Sequence, residues 1–150
     1  MEIRYLKAAG AAAVICIIVS VMLGAAENSD VQTVKNLLEK RTAVMENVLI
    51  GKMTYDEGKE QLKTIEKDKL YNDDLRALSQ YRNTDLESVR KMEITEIEKS
   101  SSVYDIMTFR CRIKWTYSGC EGICESTHDY QVSVDTNGGD YRLVLFELLQ

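Results

Sequence analysis

The sequence predicts an α+β fold: an N-terminal transmembrane helix, then a helical hairpin plus short helices packed on a C-terminal antiparallel β-meander of about four strands. Three observations predict it. A nineteen-residue uncharged run lies near the start, apolar residues then recur at helical spacing, and from residue 91 the period becomes two. The expected divisions are a membrane segment at 1–26 and one further domain, with a helical part at 27–90 and a sheet part at 91–150. With 45% hydrophobic and 29% charged residues, the composition is that of a chain that packs a core.

The uncharged run, Ala8–Ala26, follows Arg4 and Lys7 and precedes the acidic stretch "ENSD". Nineteen helical residues span most of a bilayer's hydrocarbon, which predicts an uncleaved signal anchor. The alternative is a signal peptide cleaved after Ala26, leaving a secreted protein. Lys and Arg resist translocation, so the N-terminus is expected in the cytoplasm and the C-terminal domain outside a single-pass cell membrane protein. Without Glu2, Arg4 and Lys7, residues 27–150 carry 17 basic against 23 acidic side chains. A net charge near −6 disfavours nucleic acid as a partner.

In the helical part, Val31, Val34, Leu38, Met45, Val48 and Leu49 follow an N-cap at Ser29 or Asp30, and Gly51 stops the helix. "TYDE" at 54–57 is a capping box that opens a second helix with Leu62, Ile65 and Leu70, predicting an antiparallel hairpin. The link from Gly51 to Glu57 resembles the helix–Gly–hydrophobic–Thr–acidic junction of small bacterial helical hairpins, which implies no activity. "YNDDLRALSQY" predicts a third helix capped by Asn72 or Asp73, and "TDLE" at 84–87 a last short turn. "NDD" lacks the alternating oxygen ligands and the Gly of a calcium loop, so these acids read as helix caps.

In the sheet part, Met107, Phe109, Cys111, Ile113, Trp115 and Tyr117 alternate with polar residues along one strand. "YQVSVD" and "YRLVLFEL" supply two more, joined by a two-residue turn at Asn137-Gly138. That turn pairs Val134 with Tyr141 and Val132 with Leu143; matching apolar faces then pairs Trp115 with Tyr130 and Cys111 with Val134. "RKMEITEIEKS" is expected to supply the fourth strand, turning at the serines 100–102. Helices first, then a curved antiparallel sheet on a tether, is a layout that resembles the cystatin/NTF2-like class, as in anchored accessory domains of bacterial envelope and transfer machines. The resemblance implies a fold and no chemistry.

Cys111, Cys120, Cys124 and His128 superficially resemble a zinc-finger ligand set, but the expected register holds Cys111 about 33 Å from Cys124. Glu121 and Glu125 flank Cys120 and Cys124 and oppose thiolate formation. A Cys120–Cys124 disulfide on a hairpin tip is therefore predicted for an oxidising exterior, provided regular pairing stops short of Cys120 or a bulge shifts it. With one histidine in the chain, any triad or multi-histidine centre would depend on His128, which has no nucleophile that the sequence places beside it. We therefore expect no catalytic residues, no metal and no cofactor.

Arg110, Arg112 and Lys114 share one strand face in an acidic domain, and Val144 and Phe146 are expected beside them. This outer face is the predicted contact for an envelope protein partner, in an assembly or accessory role. The competing expectation is that neighbouring acids neutralise the cations. A second function class is a small-ligand module, its pocket between helices and sheet lined by Trp115, Tyr117 and Tyr130.

Overall fold

A computed structural model describes residues 29–82, 88–119 and 122–150. The chain divides into two compact units, Met1–Gln32 and Thr33–Gln150. In the first only 29–32 are described, and they are helical. The predicted membrane segment lies outside the described residues; among those, no helix is long and apolar enough to cross a membrane.

Among the described residues, three helices precede a four-stranded antiparallel sheet. Helix α1 covers 29–49, α2 is Tyr55–Ile65 and α3 is Asp68–Tyr81. The strands are β1, Ser88–Val103, β2, Ile106–Gly119, β3, Gly122–Asp135, and β4, Arg142–Leu148, in the spatial order β1-β2-β3-β4. The predicted capping box opens α2, with the Thr54 hydroxyl accepting from Glu57 N and the Glu57 carboxylate accepting from Thr54 N. Gly58 on α2 is buried against Val48 on α1, which fixes a close antiparallel hairpin. Val34, Leu38, Val48, Leu62 and Leu78 meet Phe109, Cys111, Ile113, Val132, Val134 and Leu143 in the core. Each such side chain contributes about 1.5–3 kcal/mol on burial, with Cys111 at the low end.

Several predicted details shift. Helix α3 begins at Asp68 rather than at Asn72 or Asp73, because extended Lys67 takes the cap position and donates its backbone N–H to Leu143 O at 3.0 Å. The predicted turn at 84–87 lies outside the described residues, and Ser88 already belongs to β1, so the sheet part starts three residues early. The first hairpin turns at Tyr104-Asp105 instead of the serines, with Val103 opposite Ile106.

Strand β1 carries three extra residues, Arg90, Thr95 and Ser100, each of which shifts its register against β2. Their side chains reach back to β2: Arg90 Nε to Ser118 Oγ, Thr95 Oγ1 to Arg112 O and Ser100 Oγ to Thr108 O. Bulges at five-residue intervals bend and twist the strand, curving it and spoiling it as a template for edge pairing.

In the second hairpin Cys111 lies opposite Tyr130, Phe109 opposite Val132 and Met107 opposite Val134, four residues of β3 away from the expected partners. Pairing continues to Gly119 and Gly122, so the tip is tighter than expected. The displacement is even, so every inward residue stays inward. The third hairpin also slips. Thr136–Tyr141 forms a longer loop with Gly138 and Gly139 at φ 75° and 83°, and Val134 lies opposite Leu143. A bulge at Val144 then reverses parity, placing Phe146 opposite Val132 on the helix-facing side.

Candidate functional site

Each helix interrupts its apolar stripe with one charged residue, and the three converge. Arg41 falls between Leu38 and Val48 on α1, Glu66 follows Leu62 and Ile65 at the end of α2, and Asp74 lies between Leu70 and Leu78 on α3. Arg41 Nε donates to Glu66 Oε1 at 2.6 Å and to Asp74 Oδ2 at 2.7 Å, while Arg41 Nη2 donates to Asp74 Oδ1 at 2.7 Å. The Arg41 and Glu66 side chains are 13% and 0% exposed. Burial, with a hydrogen bond to the Asp74 carboxyl, pushes the Glu66 carboxyl up to about 8, against the opposing pull of Arg41. Burial thus favours the protonated form of Glu66 beside the Arg41–Asp74 ion pair. A buried cluster closes electrostatically in this way when one acid stays neutral.

Arg41 and Asp74 of the triad line a cavity of about 150 Å³ between α3 and β4 together with Leu70, Val144 and Phe146, with Lys69, Asp73 and Glu147 around it. The Arg41 guanidinium carbon stands 4.7 Å from the Phe146 ring centroid. Phe146 stacks on Tyr130 at 4.6 Å, and the Trp115 indole N–H donates to the Tyr130 hydroxyl at 3.0 Å. Two predicted pocket residues, Trp115 and Tyr130, are thereby brought together, bonded to each other. Tyr117 lies on the same face opposite Cys124, nearer the hairpin tip.

The predicted partner-contact residues divide. Phe146 is turned inward, contrary to expectation, because of the Val144 bulge, and Val144 lines the cavity at the sheet edge instead of lying beside the cations. Arg110, Arg112 and Lys114 do share the outer face. Arg112 is paired with Glu96 at 2.7 Å and Asp129 at 2.8 Å, and Lys114 with Glu125 at 3.0 Å. Exposed Arg110 has Glu98 and Gln131 as cross-strand neighbours. This face is a mixed-charge lattice rather than a basic patch.

Cys111 is fully buried, and desolvation pushes its thiol up to about 12, so it is an inert core residue. It lies opposite Tyr130, six residues along β3 from Cys124, or about 20 Å rather than 33 Å, which is still too far to share an ion. Cys124 is an exposed free thiol, and its predicted disulfide partner Cys120 lies outside the described residues. Among the described residues no group of three or more His, Cys, Asp or Glu is placed to hold a metal ion.

No protein-family model matches the chain, and no curated protein matches it in sequence. Solved structures do resemble it. The intermembrane space region of the chloroplast protein ARC6 matches with a TM-score of 0.52 at 9% identity, over 79% of this chain and 95% of that one. The beta subunit of the benzoate 1,2-dioxygenase from Burkholderia mallei, an NTF2-like neighbour, matches with a TM-score of 0.52 at 11% identity, over 77% and 86%. At these identities the likeness is one of fold: three helices packed on a four-stranded antiparallel sheet.

Proposed function

We propose that the chain is a membrane-anchored, extracytoplasmic, non-enzymatic domain that binds a protein partner of the cell envelope by seating an extended segment along the β4–α3 groove. The observation that carries this reading is the contrast between the two sheet edges. Strand β1 is bulged every five residues and lined with charge, whereas β4 is covered by the α2–α3 link only near Leu143. Beyond Leu143, β4 borders a groove with Leu70 and Phe146 in its wall and both signs of charge from Lys69, Asp73 and Glu147. Partner strands add to such edges through main-chain hydrogen bonds, with flanking pockets supplying specificity. Val144 and Phe146 belong to this groove; the paired cations of the outer face do not.

The test is site-specific photocrosslinking in native membranes, with p-benzoylphenylalanine at Val144 and, separately, at Arg110. The expected result is one discrete protein adduct from Val144 that survives combined substitution of Arg110, Arg112 and Lys114 by Ser. Adducts only from Arg110, abolished by nearby charge removal, would return the contact to the outer face. The cavity also supports a second reading, a small-ligand-binding NTF2-like module. At about 150 Å³ it admits only a few heavy atoms. A ligand-dependent rise in melting temperature that is lost in Phe146→Ala would favour that reading. Intact mass of the expressed chain distinguishes the anchored protein from one cleaved after Ala26.

A further inference from the structure

We infer that the partner segment seated on β4 runs antiparallel to it and carries a Lys or Arg opposite Glu147, flanked by two apolar residues. This inference rests on the β4–α3 seat proposed above. The backbone of β4 supplies the first support. Leu149 donates its N–H to Asp129 O at 2.8 Å, so by antiparallel alternation Glu147 and Leu145 also turn their backbone groups toward β3. Phe146 and Leu148 therefore turn theirs to the open edge. Past the bulge at Val144 the same alternation gives Leu143 an edge-facing carbonyl, and that carbonyl is the one Lys67 N–H reaches. Among the described residues no other backbone group pairs with this edge. An antiparallel strand added here exchanges both N–H···O bonds with Phe146 and both with Leu148.

Charge supplies the second support. Phe146 faces the helices, so Glu147 alternates to the outer face and Leu148 back to the inner. Other outer-face acids are answered within the fold: Glu93 by Lys91, Glu96 and Asp129 by Arg112, Glu125 by Lys114. Glu147 is exposed, its neighbour on β3 is the neutral Gln131, and among the described residues it has no ion pair. Lys69, across the groove, is held by Asp73 and senses Glu147 only through space. Directly opposite residues stand about 5 Å apart at Cβ, so a strand residue facing Glu147 is selected by charge, and a cation is favoured over an acid.

The residues on either side of that cation face inward. One meets Phe146 beside the cavity of about 150 Å³, whose Leu70 and Val144 suit an aliphatic side chain; the other meets Leu148, 55% exposed. The Phe146-Glu147-Leu148 edge thus reads an apolar–basic–apolar triplet, with main-chain bonds for affinity and the central charge for specificity.

The test is fluorescence anisotropy of the full chain in detergent with three labelled peptides. These are Thr-Ser-Val-Lys-Val-Ser-Thr, the same peptide with Glu for Lys, and the Lys peptide with both Val nitrogens methylated. The Lys peptide is expected to bind about three- to tenfold more tightly than the Glu peptide. Glu147→Lys should invert that order, and methylation should abolish binding, because both Val N–H groups bond to β4. Glu93→Lys, at an exposed acid on β1, controls for the net negative charge of the chain and should leave the order unchanged. No preference or a reversed one in the wild type, an unchanged order in Glu147→Lys, an inverted one in Glu93→Lys, binding that survives methylation, or no binding of any peptide overturns the inference. The Val144 photoadduct then decides the seat separately. If it is retained, the groove takes a segment of other chemistry; if it is absent, both readings fail.

Discussion

Glu66 Oε1 lies 2.6 Å from Arg41 Nε, while Glu66 Oε2, equally buried, receives no hydrogen bond. A buried carboxyl with one oxygen unpartnered and a second carboxyl, Asp74, close by favours its protonated form. In the unfolded chain Glu66 ionises near 4.5, and in the folded chain near 8. The folded state therefore binds more protons between these values, and stability falls as pH rises across that window, by on the order of a few kcal/mol. Gln keeps an oxygen to accept from Arg41 Nε and does not titrate. Glu66→Gln is expected to unfold like the wild type near pH 5 and to be the more stable protein at pH 8.5. Urea midpoints at the two pH values check this, and an unchanged wild-type slope in the variant would remove Glu66 as its source.

Removing one member of the triad should cost more than removing all three. Asp74→Ala takes both Asp74 hydrogen bonds from Arg41 and leaves the part-buried guanidinium with Glu66 alone, a loss of about 3–5 kcal/mol. The combined variant Arg41→Met, Glu66→Met, Asp74→Leu leaves no buried charge and is expected to recover much of that loss. The comparison is made by denaturant midpoints at pH 6, where Glu66 is neutral in the folded wild type.

Gly58 lies within a helix, where Gly→Ala ordinarily stabilises by about 0.5–1 kcal/mol. Here a Cβ would fall 2.4 Å from Val48 Cγ2, on the neighbouring helix. The sign should reverse, with Gly58→Ala destabilising by about 1–3 kcal/mol as an overpacked contact. Val48→Ala added to Gly58→Ala should cost less than the two single changes combined, which a double-mutant cycle measures.

The legible parts of the fold are those governed by short-range rules. The Thr54–Glu57 box and the alternation along β2 depend on spacing alone, and both stand where the sequence places them. Register depends on loop geometry. A two-residue tip beyond Gly119 in place of a wider one moved the β2–β3 partners, and a single bulge at Val144 turned Phe146 from the outer face to the inner. Bulges leave a weak trace, and β1 carries one: Val89, Met92, Ile94 and Ile97 alternate steps of three and two, each step of three spanning an extra residue. The triad left a comparable trace. Arg41 and Asp74 interrupt apolar stripes at core positions, but no pattern in one helix says which charges on the others will meet it. Asp74 reads as a cap only as long as α3 is thought to start at Asn72.

Tyr104 separates backbone preference from side-chain chemistry. At φ 52° a β-branched residue is more strained than Tyr, and Asn is less strained. Tyr104→Asn is therefore expected to raise stability by about 0.5–1 kcal/mol, and Tyr104→Val to lower it, although both remove the exposed ring. Thermal unfolding of the detergent-solubilised chain, followed by near-ultraviolet circular dichroism of the Trp115–Tyr130 pair, reads the difference. Because the ring is 98% exposed, its removal takes almost no packing from the fold, and opposite shifts would isolate the backbone as the cause. Equal shifts would mean that the brace from Thr136 to Asp105, not the residue at the apex, sets the conformation of the turn. With opposite shifts, the native tyrosine is kept at a cost in stability, as expected of a residue selected for what it touches.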